Sequence, residues 1–147
     1  MSWRVLLAQR RVVVEPPTRA EIDAQRELAS RALADAAIAA VSDDGRFDRA
    51  YDAARALATV VIRASGYRVK GAGGGHYNTF LALEAADPDR FAAFAAHFHL
   101  CREKRNELSY VQPRVVSRSE LEEILREVPR FRVAVAGWLQ EAHPELA

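Results

Sequence analysis

The sequence predicts an all-α protein, an up-and-down bundle of four to five helices. Alanine, the residue with the highest helix propensity, makes up about a fifth of the 147 residues. Apolar residues recur at helical spacing along most of the chain and rarely alternate as they would in strands. Short connections join the helical segments, which favours antiparallel neighbours.

The chain begins with a leader, residues 1–17, which precedes a bundle domain at 18–147. The leader is compatible with an extended arm, a short strand or a disordered segment. Its apolar triplets at 5–7 and 12–14 are separated by polar residues, whereas a secretory signal needs about 7–15 unbroken apolar residues. No stretch approaches the roughly 20 apolar residues of a membrane span. We therefore predict a cytoplasmic protein with no membrane partner.

The first bundle helix is predicted to begin at Thr18. Thr18 and Glu21 match a capping box, in which each side chain satisfies a free backbone amide. The Ser-Asp-Asp-Gly stretch at 42–45 is predicted to end this helix. Its apolar face consists of Ile22, Ala29, Leu33, Ala36 and Ala40.

The second helix is predicted from about Arg46 to Ser65, ending at Gly66 as helix C-termini commonly do. The glycine-rich stretch at 66–76 then predicts a connection. Because neighbouring helices alternate in direction, this loop and the end of the fourth helix are expected at the same end of the bundle. The apolar stripe of the second helix consists of Phe47, Tyr51, Ala54, Leu57, Ala58, Val61 and Ile62.

Three further helices are predicted: a short one at about 78–86, a fourth at about 89–108 and a fifth from Ser117. Ser117 and Glu120 form a second capping box. Pro129 lies within the apolar pattern of the fifth helix and is predicted to kink or split it. The fourth helix carries one apolar stripe, formed by Phe91, Phe94, Phe98 and Cys101.

Overall charge indicates no particular partner, since the formal net charge is +1 and the pI is about 8.0. Any basic footprint for nucleic acid must therefore be local.

Cys101 is the one cysteine, so no internal disulfide can form, as is usual in a reducing compartment. His97 and His99 point about 200° apart on a helix and cannot share an ion. No cofactor and no metal site are predicted.

The end of the fourth predicted helix is the most informative part of the chain. Arg105 follows Phe98 by seven residues, so it continues an apolar stripe with a guanidinium group. Such a charge must be paired, or must face another subunit or a ligand. The alternative is an ordinary solvated helix face with Arg105 reaching around the end of the bundle. A neighbouring polar stripe consists of His99, Arg102, Asn106 and Tyr110.

The segment R-N-E-L-S-Y, Arg105 to Tyr110, resembles the motif region of the HEPN superfamily of small prokaryotic helical proteins. That motif has an arginine, then a polar residue, often asparagine, and then a histidine four to six positions after the arginine. Arg105 and Asn106 match the first two positions. The segment F-D-R-A-Y-D-A-A-R at 47–55 is similar to an early helix of the family, and so is the layout from about 18 to 142.

The resemblance implies a homodimer and, in active HEPN members, RNA cleavage without a metal ion by arginine and histidine from two protomers. It also implies a nucleotidyltransferase-type antitoxin as a partner. This chain departs from the motif, because 109–111 are Ser, Tyr and Val. Tyr110 has an ordinary pKa of about 10, whereas the chemistry needs an acid/base near neutrality. His99 is an alternative source of that group.

We therefore expect an HEPN-like protein that binds RNA or a nucleotide, of toxin–antitoxin type. The missing motif histidine argues against RNA cleavage, and any ribonuclease activity would need another group in its place. The loop at 70–76 adds a candidate phosphate-binding turn, although a plain flexible connection fits it as well. The predicted catalytic residues are Arg105, Asn106, Tyr110 and His99. The predicted residues for RNA or phosphate binding are Arg102, Lys104, Arg114 and Lys70.

The alternative is a non-catalytic helical module for dimerisation or protein interaction. Burial of Arg105 against Asp48 or Asp52 of its own chain would favour that module. An exposed Arg105 facing a symmetry mate would favour the nuclease-like reading. Leu100 and Val60 lie off the predicted apolar stripes and are candidates for a dimer face.

Overall fold

The computed structural model describes residues 1–71, 75–108 and 115–147, and it confirms the predicted all-α class. The five predicted bundle helices correspond to α2–α6, whereas α1 lies in the leader. None of the helices in the described ranges is long and apolar enough to cross a bilayer. The elements are α1 (Trp3–Ala8), β1 (Val12–Val14), α2 (Arg19–Ala36), α3 (Asp43–Ala64), β2 (Tyr67–Val69), α4 (Gly75–Ala86), α5 (Pro88–Leu108) and α6 (Arg118–Ala142), followed by a 3-10 turn at Pro144–Leu146.

Helix α3 is the centre of the bundle and packs against α2, α4, α5 and α6. Many of its buried residues are alanines, which let the neighbouring helices approach closely. Val60 is among the fully buried residues of α3, so it belongs to the core. Its predicted role in a dimer face is therefore wrong. Leu100 is 65% exposed on α5, as that prediction required.

Aromatic rings on α4, α5 and α6 join these helices around Phe98. The Phe98 ring is fully buried, with its centroid 5.7 Å from that of Phe80 on α4 and 5.0 Å from that of Phe131 on α6. Phe91 and Cys101 are also buried, and Phe94 packs at the margin. The predicted apolar stripe of the fourth helix is thus confirmed.

The junction between α2 and α3 differs from the prediction. Helix α2 ends at Ala36, and Ala40 is an exposed turn residue outside it. The Ser-Asp-Asp-Gly stretch begins the next helix. The Ser42 hydroxyl accepts a hydrogen bond from Gly45 N at 3.1 Å, and two aspartates fill the first turn of α3. A capping hydroxyl and acidic residues both stabilise a helix N-terminus.

Helix α6 continues through Pro129 from Arg118 to Ala142, so the predicted split does not occur. Proline removes one backbone hydrogen bond from the helix. The residues on both sides of Pro129 are anchored in the core, because Val128 and Phe131 are fully buried. Packing of this buried face therefore outweighs the local cost of the proline.

The leader is ordered against the bundle, in a form that only partly matches the prediction. The Ser2 hydroxyl caps α1 by accepting from Val5 N at 3.3 Å. Strand β1 pairs antiparallel with β2, with Val12 opposite Val69. Leu6 of α1 and Val12 of β1 are buried in a small cluster with Ile62 and Ala82. The short strand was one of the expected alternatives, but the helix was not.

Arg63 of α3 fastens the end of the leader to the bundle. Its guanidinium is buried and donates to the backbone carbonyls of Glu15 at 2.9 Å, Pro16 at 2.9 Å and Tyr67 at 2.8 Å. It also donates to the Glu21 carboxylate at 3.0 Å. A buried cation with this set of acceptors holds the leader, α2 and the start of β2 in one arrangement.

The Glu21 carboxylate gives the fold a specific acid sensitivity. Hydrogen bonds from Arg63 and then from Arg68 lower the pKa of Glu21 from 4.5 to about 2. Because the folded-state pKa is lowered, this stabilisation is complete above the unfolded value and is lost as the pH falls from about 4.5 to 2.

We expect Glu21→Gln to flatten the dependence of the urea midpoint on pH within that range. The matched variant Glu27→Gln, at an exposed pair with Arg31, should keep the wild-type profile. Parallel curves for wild type and Glu21→Gln would contradict this prediction.

Candidate functional site

The start of α4 lies beside the C-terminal half of α5. The ring of Tyr77 is 5.3 Å from that of His99, and the guanidinium of Arg102 stands 5.4 Å from the centre of the Tyr77 ring. The residues that follow the glycine-rich loop are therefore at the same end of the bundle as the end of α5. This placement is the one expected from alternating helices.

Three arginines lie around the start of α4 at this end: Arg55 from α3, which lines a small cavity with Gly75, and Arg102 and Arg105 from α5, which stand against the rings of Tyr77 and Tyr51. We call these three residues the arginine cluster. The hydroxyl of the buried Tyr51 lies 3.1 Å from His76 Nδ1, and the guanidinium of Arg105 lies 5.7 Å from the Tyr51 ring centre. Residues three or four apart share a helix face, so α3 and α5 each direct their members of this group towards α4.

Burial lowers the pKa of His76, and the arginine cluster acts in the same direction, so His76 is uncharged at neutral pH. Burial is the largest cause, and the charges of Arg55, Arg105 and Arg102 act in the same direction, so the pKa of His76 falls to about 4. Burial also raises the pKa of Tyr51 to about 12, against the effect of the same three arginines. A neutral imidazole and a neutral phenol thus lie inside a strongly positive environment.

Arg105 meets both of the criteria set from the sequence, each in part. Its Nε donates to the Asp48 carboxylate at 3.0 Å within the same chain, yet 32% of its side chain is exposed to solvent. Within the described residues, Arg105 is the one member of the arginine cluster that has a carboxylate partner. Arg102 Nε is buried and has no hydrogen-bond partner in that same part of the chain.

The chain matches no protein-family model, no curated protein and no solved structure. Its function is therefore inferred from the side chains of this site and from the motif resemblance.

The leader also contributes to the candidate site, because Arg11 stands 5.6 Å from the centre of the Tyr77 ring and donates to Asn78 Oδ1 at 2.8 Å.

The other predicted site residues are distributed unevenly. His99 packs against Phe80 as well as Tyr77, and burial followed by the charge of Arg102 lowers its pKa. Asn106 is exposed on α5, and Lys70 is exposed just after β2. Two predicted residues, Tyr110 and Arg114, lie outside the described ranges.

Lys104 points to a different surface from the arginine cluster. Its ammonium pairs with Glu107 at 3.5 Å and with Glu120 of α6 at 3.4 Å. It lines a cavity of about 130 Å³ together with His97 and Cys101. Burial raises the pKa of the Cys101 thiol to about 12, which makes this thiol unreactive. In the described part of the chain, no group of three or more His, Cys, Asp or Glu side chains is placed to hold a metal ion.

Much of what surrounds His76 could not be predicted from the sequence. Tyr51 was assigned to the apolar stripe of the second helix, and its neighbour one turn on, Arg55, was not considered as a site residue. His76 was not among the predicted site residues, although it is the last residue of the glycine-rich stretch at 66–76. The signal available in the sequence was the four-residue spacing of Tyr51 and Arg55 within the segment that resembles an early HEPN helix.

Proposed function

We propose that this protein binds RNA or a nucleotide through the arginine cluster, as an HEPN-like homodimer. The observation that carries the proposal is the grouping of three arginines from two helices around Tyr51, His76 and Tyr77, with a single carboxylate partner among the described residues. A phosphate group supplies the counter-charge that such a cluster lacks. Guanidinium groups bind phosphate with strong, charge-assisted hydrogen bonds.

RNA cleavage is the enzymatic part of the proposal. The HEPN resemblance implies a metal-independent endoribonuclease, and position 110 holds tyrosine where that motif needs an acid/base. His76 and His99 are the histidines beside the arginine cluster, so either one supplies a candidate for proton transfer. On the same resemblance we propose a nucleotidyltransferase-type antitoxin as the partner and the cytoplasm as the location.

Removal of either α5 arginine is expected to weaken RNA binding about tenfold. Fluorescence anisotropy with a labelled single-stranded RNA, in EDTA, measures the affinity of wild type, Arg102→Ala and Arg105→Ala. Each variant should also reduce the salt dependence of binding by about one phosphate contact. Arg31→Ala is the matched control, because Arg31 is exposed on α2 and pairs with Glu27. Equal affinities for all four proteins would contradict the proposed site.

The same proteins decide between binding and cleavage. Loss of RNA cleavage in Arg105→Ala, with wild type and Arg31→Ala both active in EDTA, would identify a metal-independent ribonuclease. RNA binding without cleavage by any of them would leave a binding protein. His76→Asn and His99→Asn then separate the two candidate histidines. If one of these variants retains cleavage, the histidine it replaces is not the group that transfers the proton.

The second candidate function is a helical module for dimerisation or protein interaction. The ion pair between Arg105 and Asp48 within one chain favours this module, because the motif arginine then stabilises the bundle itself. Leu100 and Val133 are large apolar residues that are well exposed on α5 and α6. Absence of both RNA and nucleotide binding by the wild-type protein would favour this candidate.

A further inference from the structure

His76 occupies the most unusual position in the molecule. It lies in the first turn of α4 and is half-buried, with Nδ1 against the Tyr51 hydroxyl at 3.1 Å. The groups beside it are Tyr51 and Arg55 from α3, and Arg102 and Arg105 from α5, with the Arg105 guanidinium 5.7 Å from the Tyr51 ring and the Arg102 guanidinium 5.4 Å from the ring of the adjacent Tyr77. All of the charges in this set are positive, and they lower the pKa of His76 in the same direction as its burial does.

We infer that the arginine cluster takes up a phosphate monoester, the terminal phosphate of a nucleotide or of an RNA chain, together with a proton on His76. This inference rests on the proposed function, in which the same arginines bind RNA or a nucleotide. It adds the kind of phosphate that the site selects. It also adds a role for His76 that the HEPN motif does not contain.

The charge of the ligand carries the inference. A phosphate monoester loses its second proton with a pKa of about 6 and is close to a dianion at pH 7, whereas an internal phosphodiester carries one negative charge. A dianion offsets more of the positive charge of the three arginines. An anion close to an imidazole also favours its protonated form. Once protonated, His76 carries a hydrogen on both ring nitrogens and adds a positive charge beside the ligand.

Proton uptake gives the site its preference. Binding that raises the pKa of His76 from about 4 to about one unit above the pH of the measurement gains about tenfold in affinity. We therefore expect RNA with a 5′-phosphate to bind about tenfold tighter than the same RNA with a 5′-hydroxyl at pH 6. In His76→Asn this preference should shrink to about threefold or less. His143→Asn is the matched control, because His143 contacts Trp138 and Glu145 near the C-terminus.

Direct measurement of His76 keeps the inference testable even if His76→Asn folds poorly. The imidazole signals of the full-length wild-type protein are followed by NMR from pH 5.5 to 8, with and without saturating AMP. In the free protein, His76 should remain neutral throughout this range. With AMP bound it should titrate within the range. An unchanged neutral signal with AMP bound would overturn the inference.

The outcomes separate this inference from the proposed function. RNA binding that depends on Arg102 and Arg105, with equal affinity for phosphate and hydroxyl ends, would overturn the inference and leave the proposed function standing. A preference for the phosphorylated end, lost in His76→Asn, supports both. Tight binding of AMP with weak binding of phosphorylated RNA supports the inference with a free nucleotide as the source of the phosphate. Failure of wild type to bind either ligand overturns both.

Discussion

Arg63→Ala is expected to reduce the free energy of unfolding by about 3–5 kcal/mol, the range for loss of one partner from a buried ionic network. The variant leaves the backbone carbonyls of Glu15, Pro16 and Tyr67 without their side-chain donor. It also removes the leading cause of the lowered pKa of Glu21. Urea unfolding followed by circular dichroism measures the change in free energy. In thermal unfolding, the same loss should lower the melting temperature by roughly 6–20 °C.

Two further variants show whether the loss comes from the network around Arg63. Arg63→Met keeps an apolar stem of similar length but no donors, so it should recover only a minor part of the lost stability. Arg31→Ala removes an exposed pair with Glu27 and should change stability by about 0.5 kcal/mol or less. If Arg63→Ala and Arg31→Ala unfold at the same urea concentration, Arg63 does not hold the leader in place.

Phe98→Ala is expected to cost about 3–5 kcal/mol, the usual cost of removing a buried phenylalanine side chain. Phe98 has no exposed surface, and its ring contacts those of Phe80, Phe94 and Phe131. The cavity would open where α4, α5 and α6 meet. Urea unfolding at neutral pH measures this loss.

Phe98→Leu is the matched variant, because it keeps an apolar side chain in the same space. It should cost about 1–2 kcal/mol, well below the alanine variant. Equal losses for the two variants would show that the surrounding helices close around the missing ring. In that case, the packing at Phe98 would not fix the distance between α4 and α5.

The fold could be predicted from the sequence where one physical signal acted alone. Capping boxes placed the starts of α2 and α6 to within a residue, and the buried aromatic stripe of α5 followed from its spacing. Errors arose where two signals competed. The residues at 42–45 are typical of both a helix stop and a helix start, and the structure uses them as a start. At Pro129, long-range packing determined the outcome.

The site was predicted in part, for a related reason. Periodicity identifies which residues share a face of one helix, so Arg102, Arg105 and His99 could be found on α5. It does not show which residues of other helices lie opposite them. Arg55 and His76 join the site only through the packing of α3 and α4 against α5.

Pairing of β1 with β2 has a consequence for the order of folding. The two strands join parts of the chain separated by roughly 55 residues, whereas α2 and α3, like α4 and α5, are neighbours in sequence. Closing a long loop costs more chain entropy than forming a local helical hairpin. The leader is therefore expected to dock last, once α3 presents Arg63. On a ribosome, residues 12–14 would leave the exit tunnel before residues 63–69, so they would remain unpaired until that later segment had been synthesised.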